Sequence, residues 1–267
     1  MMPTLIDGDA TVWCPHETFR TLREHAPVQE VVLPGGLVAW LVTGATEARA
    51  ALADSQLAYD LRRLSDPRHG FAGHRYPGDI FAVEGRHLLN SDGADHERLR
   101  AILAPLFTRS ATACWEPFIE RTCAELLDRL VGGARADLVA DYARPLATRV
   151  TAKILGIPSA HLYELSRLTL NVITSDYPRH PEGAELFRLW ARIIGAKKRA
   201  LGEDALSHLI RACRRGELSP QELTSVAWGL FSGGISPVTT FVAAGAIELM
   251  RVPGRRAVDP VLIEGSV

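Results

Sequence analysis

A histidine and two arginines stand close together in the chain, at His96, Arg98 and Arg100. The surrounding pattern predicts a helix over residues 96–106, in which residues four apart lie on one face. His96 and Arg100 would then point the same way and suit carboxylate groups, with the arginine as a bidentate donor. The alternative is that the arginines lie on a solvated face and pair with nearby carboxylates. Three such carboxylates are close in sequence: Asp92, Asp95 and Glu97.

A second candidate site lies in the apolar stretch 221–251, which follows a Ser219-Pro220 start signal. A helix of this length would be about 45 Å long, enough to cross a domain. The sequence SGGISP interrupts it from Ser232 to Pro237. Glycine costs about 1 kcal/mol and proline about 3 kcal/mol inside a helix, so we expect a central helix opened at mid-length, with space there for a ligand. The alternative is two ordinary core helices joined by a turn.

The elements around these two stretches are mostly helical. Two runs rich in β-branched residues, 28–33 and 37–43, flank a Pro-Gly-Gly turn and predict a β-hairpin. Residues 57–89 lack periodicity and predict a long surface loop, in which His69, His74 and His87 are expected to be solvated side chains. The fold class is therefore mainly α with a small β-hairpin, in a single domain over residues 1–267. The other predicted helices cover residues 17–25, 46–53, 112–131, 138–155, 159–175, 182–201 and 204–215.

Composition excludes several classes of function. The net charge of −1 argues against nucleic acid as a partner, because phosphate binding needs a basic face. No signal peptide or membrane span is predicted, and a cytoplasmic location is expected. The four cysteines form no metal-binding pattern, so no metal site is predicted and the thiols are expected to be reduced. They are Cys14, Cys114, Cys123 and Cys213.

Three blocks of sequence, in this order and spacing, resemble bacterial cytochromes P-450. They are WLVTGATEARAALAD (40–54), LLNSDGADHERLRAILAPLFT (88–108) and the 221–251 stretch. The resemblance runs from about Glu17 to the C-terminus and implies a P-450-like helical fold with a long central distal helix. It also implies a haem cofactor whose propionates would be held by His96 and Arg100, and a hydrophobic small molecule as ligand. The residues that would form the distal pocket are Leu230, Gly233, Gly234, Ser236 and Pro237.

The chain departs from the family pattern in two ways. Ser236 falls where the family has an acid, and Pro237 falls where it has the threonine that takes part in oxygen activation. Serine is no acid, and proline has neither a hydroxyl nor a backbone N–H. The resemblance also ends just before the helix in which the family has its Glu-x-x-Arg ion pair. None of the four cysteines has the context of the loop that supplies the thiolate of the iron, so the domain is expected to be incomplete at its C-terminal side. No catalytic residue is assigned, and neither Thr239 nor Thr240 is proposed as a substitute.

Two functional hypotheses follow from the resemblance. The first is an auxiliary protein from a natural-product pathway, inactive as a monooxygenase by itself, that binds a protein partner such as a glycosyltransferase. The second is a truncated or divided fragment of a haem-thiolate monooxygenase, with the missing C-terminal half as its partner. An unrelated helical binding module is disfavoured because three blocks match in order. Under either hypothesis we expect a wide exposed apolar face.

Overall fold

The computed structural model of the chain describes residues 4–5, 15–32, 38–60, 86–131, 136–174 and 182–251. Within these ranges the chain is mainly helical, as predicted. The α-helices are α1 (Pro15–His25), α2 (Ala45–Ala53), α3 (Gly93–Leu103), α4 (Arg109–Ala113), α5 (Glu116–Val131), α6 (Arg144–Leu155), α7 (Leu162–Thr174), α8 (Gly183–Arg199), α9 (Ala205–Arg214) and α10 (Pro220–Arg251). Short 3₁₀ turns cover Leu88–Asn90, Ala104–Phe107 and Ser159–His161, and a π-helical turn covers Leu138–Ala143.

The predicted hairpin is present as strands β2 (Val28–Val32) and β3 (Val38–Val42), which pair antiparallel with Val28 opposite Val42. A third strand, β1 (Thr4–Leu5), pairs parallel to β2, and sequence reasoning missed it because two residues carry no periodicity. The loop predicted over 57–89 lies mostly outside the described residues, as do His69 and His74.

Helix α10 begins with a reciprocal cap. The backbone N–H of Glu222 donates to the Ser219 hydroxyl at 3.1 Å, and the Ser219 N–H donates to the Glu222 carboxylate at 2.7 Å. Two orphan N–H groups of the helix start are thereby satisfied. This confirms the Ser219-Pro220 start signal.

The predicted break at Ser232–Pro237 is wrong, because α10 continues as one α-helix of 32 residues with Pro237 inside it. Neither an opening at mid-length nor two separate helices is present. A single proline removes one hydrogen bond and costs about 3 kcal/mol, which tertiary packing can offset. Here the residues before Pro237 pack against α6, α8 and α9, which supplies that support.

The hydrophobic core lies around the first half of α10. Its side chains from this helix are each at most 3% exposed: Leu223, Val226, Ala227, Trp228, Phe231 and Ile235. The ring of Phe231 meets the Trp190 ring of α8 edge-on, with centroids 5.9 Å apart and an interplanar angle of 78°. Residues Pro220–Leu249 would be long and apolar enough to cross a membrane. The first half of that segment lies in the core, whereas most of the described residues of its second half are exposed.

Candidate functional site

His96 and Arg100 lie beside the buried stripe of α3. At about 100° per residue they stand about 40° apart, next to Leu99 and Leu103, which point into the core. His96 is half-buried and Arg100 is exposed. Within the described part of the chain neither side chain has a hydrogen-bond or ion-pair partner. The predicted geometry of a shared face is therefore present, and both donors are available to a carboxylate.

Arg98 does not share that face and has a structural role. Its guanidinium donates to the Glu222 carboxylate at 2.5 Å and to the Glu217 carbonyl oxygen at 2.7 Å, and it lies 3.5 Å from Asp95. Asp95 also pairs with Arg86. The alternative of pairing with nearby carboxylates thus holds for Arg98, whose contacts fix α3 against the start of α10, but not for Arg100.

The carboxylate of Glu222 is the centre of the junction between α3 and the start of α10. Burial by itself would raise the pKa of Glu222, but the Ser219 backbone N–H and the Arg98 guanidinium outweigh it and hold the pKa below its ordinary value. The side chain is therefore ionised at neutral pH. The junction places α3, and with it His96 and Arg100, at a fixed position along α10.

An apolar cleft of about 260 Å³ opens between α10, α6 and the 3₁₀ turn after α3. Three of the five predicted pocket residues line it: Leu230, Gly233 and Gly234. The remaining wall comes mainly from residues that sequence reasoning missed, because they lie far away in the chain and carry no motif: Leu106, Phe107, Thr151, Ile154, Leu155 and Ala205. The cleft suits a small apolar group.

The two central glycines have different surroundings. A Cβ atom at Gly234 would lie 2.5 Å from Oγ1 and 2.7 Å from Cγ2 of Thr151, so glycine is required there for α10 to approach α6. A Cβ atom at Gly233 would meet nothing within 4 Å among the described residues. Packing explains Gly234, whereas Gly233 leaves open space against the helix backbone.

Ser236 and Pro237 do not line the cleft; both are exposed on α10. Pro237 has no N–H, so the Gly233 carbonyl lacks the hydrogen bond that it would accept in an unbroken helix. The carbonyl of Ser236 accepts a bond from the Thr240 hydroxyl at 3.1 Å, which is an ordinary role for a helical threonine. The hydroxyl of Thr239 is buried and has no hydrogen-bond partner among the described residues.

From Gly233 onward α10 presents an exposed stripe, here called the α10 stripe. Its members recur at helical spacing and are all exposed: Gly233, Pro237, Thr240, Phe241 and Ala244. Phe241 is 71% exposed, and Val238, Ile247 and Leu249 add further exposed apolar surface on this half of the helix. This half of the helix therefore exposes several large apolar side chains, and large exposed apolar patches are typical of interaction surfaces.

No described cysteine lines the cleft. Cys114 is exposed after α4, Cys123 is partly buried on α5, and Cys213 packs against the core from α9. Cys14 lies outside the described residues. Within those ranges no cluster of histidine, cysteine or acidic residues could hold a metal ion.

His87 corrects one prediction. It was expected to be a solvated loop residue, but it is only 5% exposed, and its Nδ1 accepts a hydrogen bond from the Leu89 N–H at 3.1 Å. The histidine caps the 3₁₀ turn that precedes α3. A capping role carries no sequence signal beyond the residue type.

Comparison with known proteins identifies the family of this chain. Pentalenic acid synthase from Streptomyces avermitilis is 31% identical, and the match covers 99% of this chain and 67% of that protein. The chain belongs to the bacterial cytochrome P450 family. A second P450 relative, 6-deoxyerythronolide B hydroxylase from Saccharopolyspora erythraea, is 30% identical over 94% of this chain.

The solved structure of the P450 monooxygenase TamI bound to tirandamycin C superimposes with a TM-score of 0.82 at 31% identity, covering 93% of this chain and 64% of TamI. No protein-family model matches the chain. The chain spans 65% of the length of 6-deoxyerythronolide B hydroxylase and 61% of that of the P450 monooxygenase PikC from Streptomyces venezuelae. These relatives confirm the P450-like helical fold, in which α10 is the long central helix.

Proposed function

We propose that this chain is a P450-like protein of a bacterial natural-product pathway that acts bound to a protein partner and is not a monooxygenase by itself. The observation that carries the proposal is the pair Ser236–Pro237, both of which are exposed on α10. In the alignment with the family pattern these positions hold the acid and the threonine. Here they offer no carboxylate, and Pro237 offers no hydroxyl, so the ordinary route for proton delivery is missing.

The exposed half of α10 supports the partner. An apolar helix face in water costs free energy that burial against another chain recovers, at about 25 cal/mol per Å². The partner is either a second protein of the same pathway, for example a glycosyltransferase, or a polypeptide that carries the C-terminal part of a P450 fold. Either would cover Phe241 and its apolar neighbours.

A second candidate function is favoured by His96 and Arg100: the chain as part of a haem-thiolate monooxygenase that acts on a hydrophobic small molecule. Both side chains are unpaired donors on one face of α3, which fits the two propionate carboxylates of haem. The open space at Gly233 would let such a flat group approach the backbone of α10 closely. The described cysteines do not fit the iron ligand, because none lies on α3 or α10, the helices that would hold the group. When bound, haem would supply the redox chemistry of the family, while these residues would hold and orient it.

A haem-reconstitution spectrum tests both candidates. The 267-residue chain is titrated with haem, reduced and exposed to carbon monoxide, and the Soret band is recorded. A histidine-type carbonyl band that is lost in His96→Ala/Arg100→Ala, but kept in the control His161→Ala/Arg188→Ala, would support a retained haem site without thiolate chemistry. A thiolate-type band from the chain alone would contradict the proposal.

The partner requirement has a separate test. Size-exclusion chromatography with light scattering is expected to show self-association of the isolated chain through the α10 stripe, and Phe241→Ser to reduce it. Phe107→Ser is the matched control, because Phe107 is also exposed but lies on the 3₁₀ turn after α3. A wild-type chain that elutes as a monodisperse monomer would count against the partner-binding role.

A further inference from the structure

The outer face of α6 forms the floor of two adjoining hollows that no known role of the chain explains. One, of about 600 Å³, lies between α6 and α7, and the other, of about 490 Å³, lies between α6 and α5. They share Arg149 and Leu162 and so form one continuous depression, here called the α6 trough. The α6 trough is lined by neither the α10 stripe nor His96 and Arg100.

The lining of the α6 trough is strongly basic. It contains five cationic side chains, from three helices: Arg121, Arg144, Arg149, Lys153 and Arg167. The described lining contains one carboxylate, that of Glu125. The whole chain carries a net charge of −1, so this excess is a local feature and not a property of the composition.

Internal ion pairs neutralise only part of this charge. Arg167 donates to Glu182 at 2.6 Å. Arg149 and Arg121 share the single carboxylate of Glu125, at 3.5 and 3.9 Å.

Two of the cations have no carboxylate partner among the described residues: Arg144 and Lys153. The ammonium of Lys153 lies instead over the Phe118 ring, 5.6 Å from its centroid. Arg144 lines the larger hollow and Lys153 the smaller one, so each hollow contains a cation that can attract negative charge.

The length and openness of the α6 trough favour a polypeptide over a small ion. Arg144 and Lys153 are nine residues apart on α6, which is about 13 Å along the helix axis and about half a turn around it, so a ligand that contacts both would cross α6 obliquely at Arg149. An extended peptide covers the axial distance alone in about four residues, at about 3.3 Å each, and needs more residues for the oblique path. Leu162 and the 83% exposed ring of Tyr163 add apolar surface at the rim, so the surface suits alternating acidic and apolar side chains.

We propose that the α6 trough is a docking site for an acidic, extended segment of a protein partner. The segment would place its carboxylates against Arg144, Arg149 and Lys153 through charge-assisted hydrogen bonds. This inference names the chemistry of the partner and in that respect rests on the proposed function. The site itself is separate from the α10 stripe and is tested separately.

The test uses the full chain and a fluorescein-labelled peptide of alternating glutamate and leucine, with binding followed by fluorescence anisotropy. Saturable binding is expected, at least about tenfold tighter than that of the same peptide with glutamine for glutamate, because the carboxylates supply the recognition. Raising the salt concentration from about 50 to about 300 mM is expected to weaken it, because salt screens exposed charges.

Two double variants with equal change of net charge decide whether the α6 trough is the site. Arg144→Glu/Lys153→Glu is expected to weaken binding at least about tenfold. Arg188→Glu/Arg199→Glu reverses two exposed arginines of α8 outside the α6 trough and is expected to change it less than about twofold. Equal weakening by both pairs, or no saturable binding, would overturn the proposal.

Displacement of the peptide by millimolar succinate at constant ionic strength would also overturn it, in favour of a small-anion site. Haem uptake and self-association of the chain do not enter this assay. A failure here therefore leaves the proposed function standing, and a failure of the haem or light-scattering experiment leaves the α6 trough proposal standing.

Discussion

The two halves of helix α10 have similar apolar side chains but opposite surroundings. Before Ser236 the large residues are buried, as Phe231 is at 0% exposure, whereas after it they are exposed, as Phe241 is at 71%. The first half stabilises this chain by removing apolar surface from water, and the second half leaves that surface open. Hydrophobicity in one continuous helix therefore has two consequences: it forms the core of the chain itself, and it leaves exposed the surface that we propose for partner binding.

The largest difference between the halves is expected for phenylalanine truncation. Phe231→Ala removes a fully buried ring that packs on Trp190, and we expect it to lower the free energy of unfolding by about 3–5 kcal/mol. Phe241→Ala is its matched control and is expected to change that free energy by less than about 0.5 kcal/mol at protein concentrations below those at which the chain self-associates. Urea unfolding of the two variants measures both values.

An equal loss of unfolding free energy in the two variants would contradict this difference between the halves. It would mean that the second half of α10 is also buried in the isolated chain. In that case self-association covers Phe241 under the conditions of the measurement. Repeating the unfolding at several protein concentrations separates this case, since stability then rises with concentration.

Gly233 and Gly234, at the boundary between the two halves of α10, are expected to respond to substitution in opposite directions. Gly234→Ala puts a methyl group against Thr151 and is expected to lower the free energy of unfolding by about 1–3 kcal/mol. Gly233→Ala meets open space and is expected to raise it by up to about 1 kcal/mol, because alanine is the better helix former. Thermal unfolding followed by circular dichroism distinguishes the two signs.

Gly234→Ala has an internal control. If the clash with Thr151 causes the loss, Thr151→Ala should recover much of it in the double variant, as a double-mutant cycle would show. A strictly additive loss would refute close approach of α6 and α10 as the reason for this glycine.

The smallest expected effect is that of Glu222, whose side chain caps the start of α10. The pKa of Glu222 is lowered in the fold, so its contribution to stability is present above its ordinary value of 4.5 and is lost as the pH falls through the lower folded pKa. Glu222→Gln is expected to cost about 1–2 kcal/mol at pH 7.

The difference between Glu222→Gln and wild type should shrink as the pH falls below 4.5, which unfolding curves across acid pH would measure. Glu203→Gln is the control, because its carboxylate is 96% exposed and should contribute less than about 0.5 kcal/mol at any pH. A Glu222→Gln penalty that does not depend on pH would show that shape, and not charge, matters at this position.

The elements with a clear local pattern were predictable from the sequence. Two short runs on either side of a Pro-Gly-Gly turn located β2 and β3, and the Ser219-Pro220 signal located the start of α10. The break at Pro237 was predicted wrongly because helix propensity is a local quantity, and packing of the residues before it outweighs the cost.

The candidate site likewise contains features that the sequence predicts and features that it does not. The shared face of His96 and Arg100 follows from helical spacing and was predicted, although their proposed role toward haem stays a prediction. The distinction between Gly233 and Gly234 could not be predicted, because it depends on Thr151 in another helix. The α6 trough escaped sequence reasoning for the same reason, since three separate helices contribute its cations.

The hydrogen bond that Pro237 cannot donate lies where the burial of α10 ends. Proteins open locally in cooperative segments, and segments with little buried surface open at the lowest free energy. A missing bond at this boundary uncouples the last turns of α10 from the core. In hydrogen exchange, the amides after Pro237 should therefore exchange through a local opening, while those from Leu223 to Ile235 should exchange only through global unfolding. A chain that covers the α10 stripe would slow the first group and leave the second unchanged.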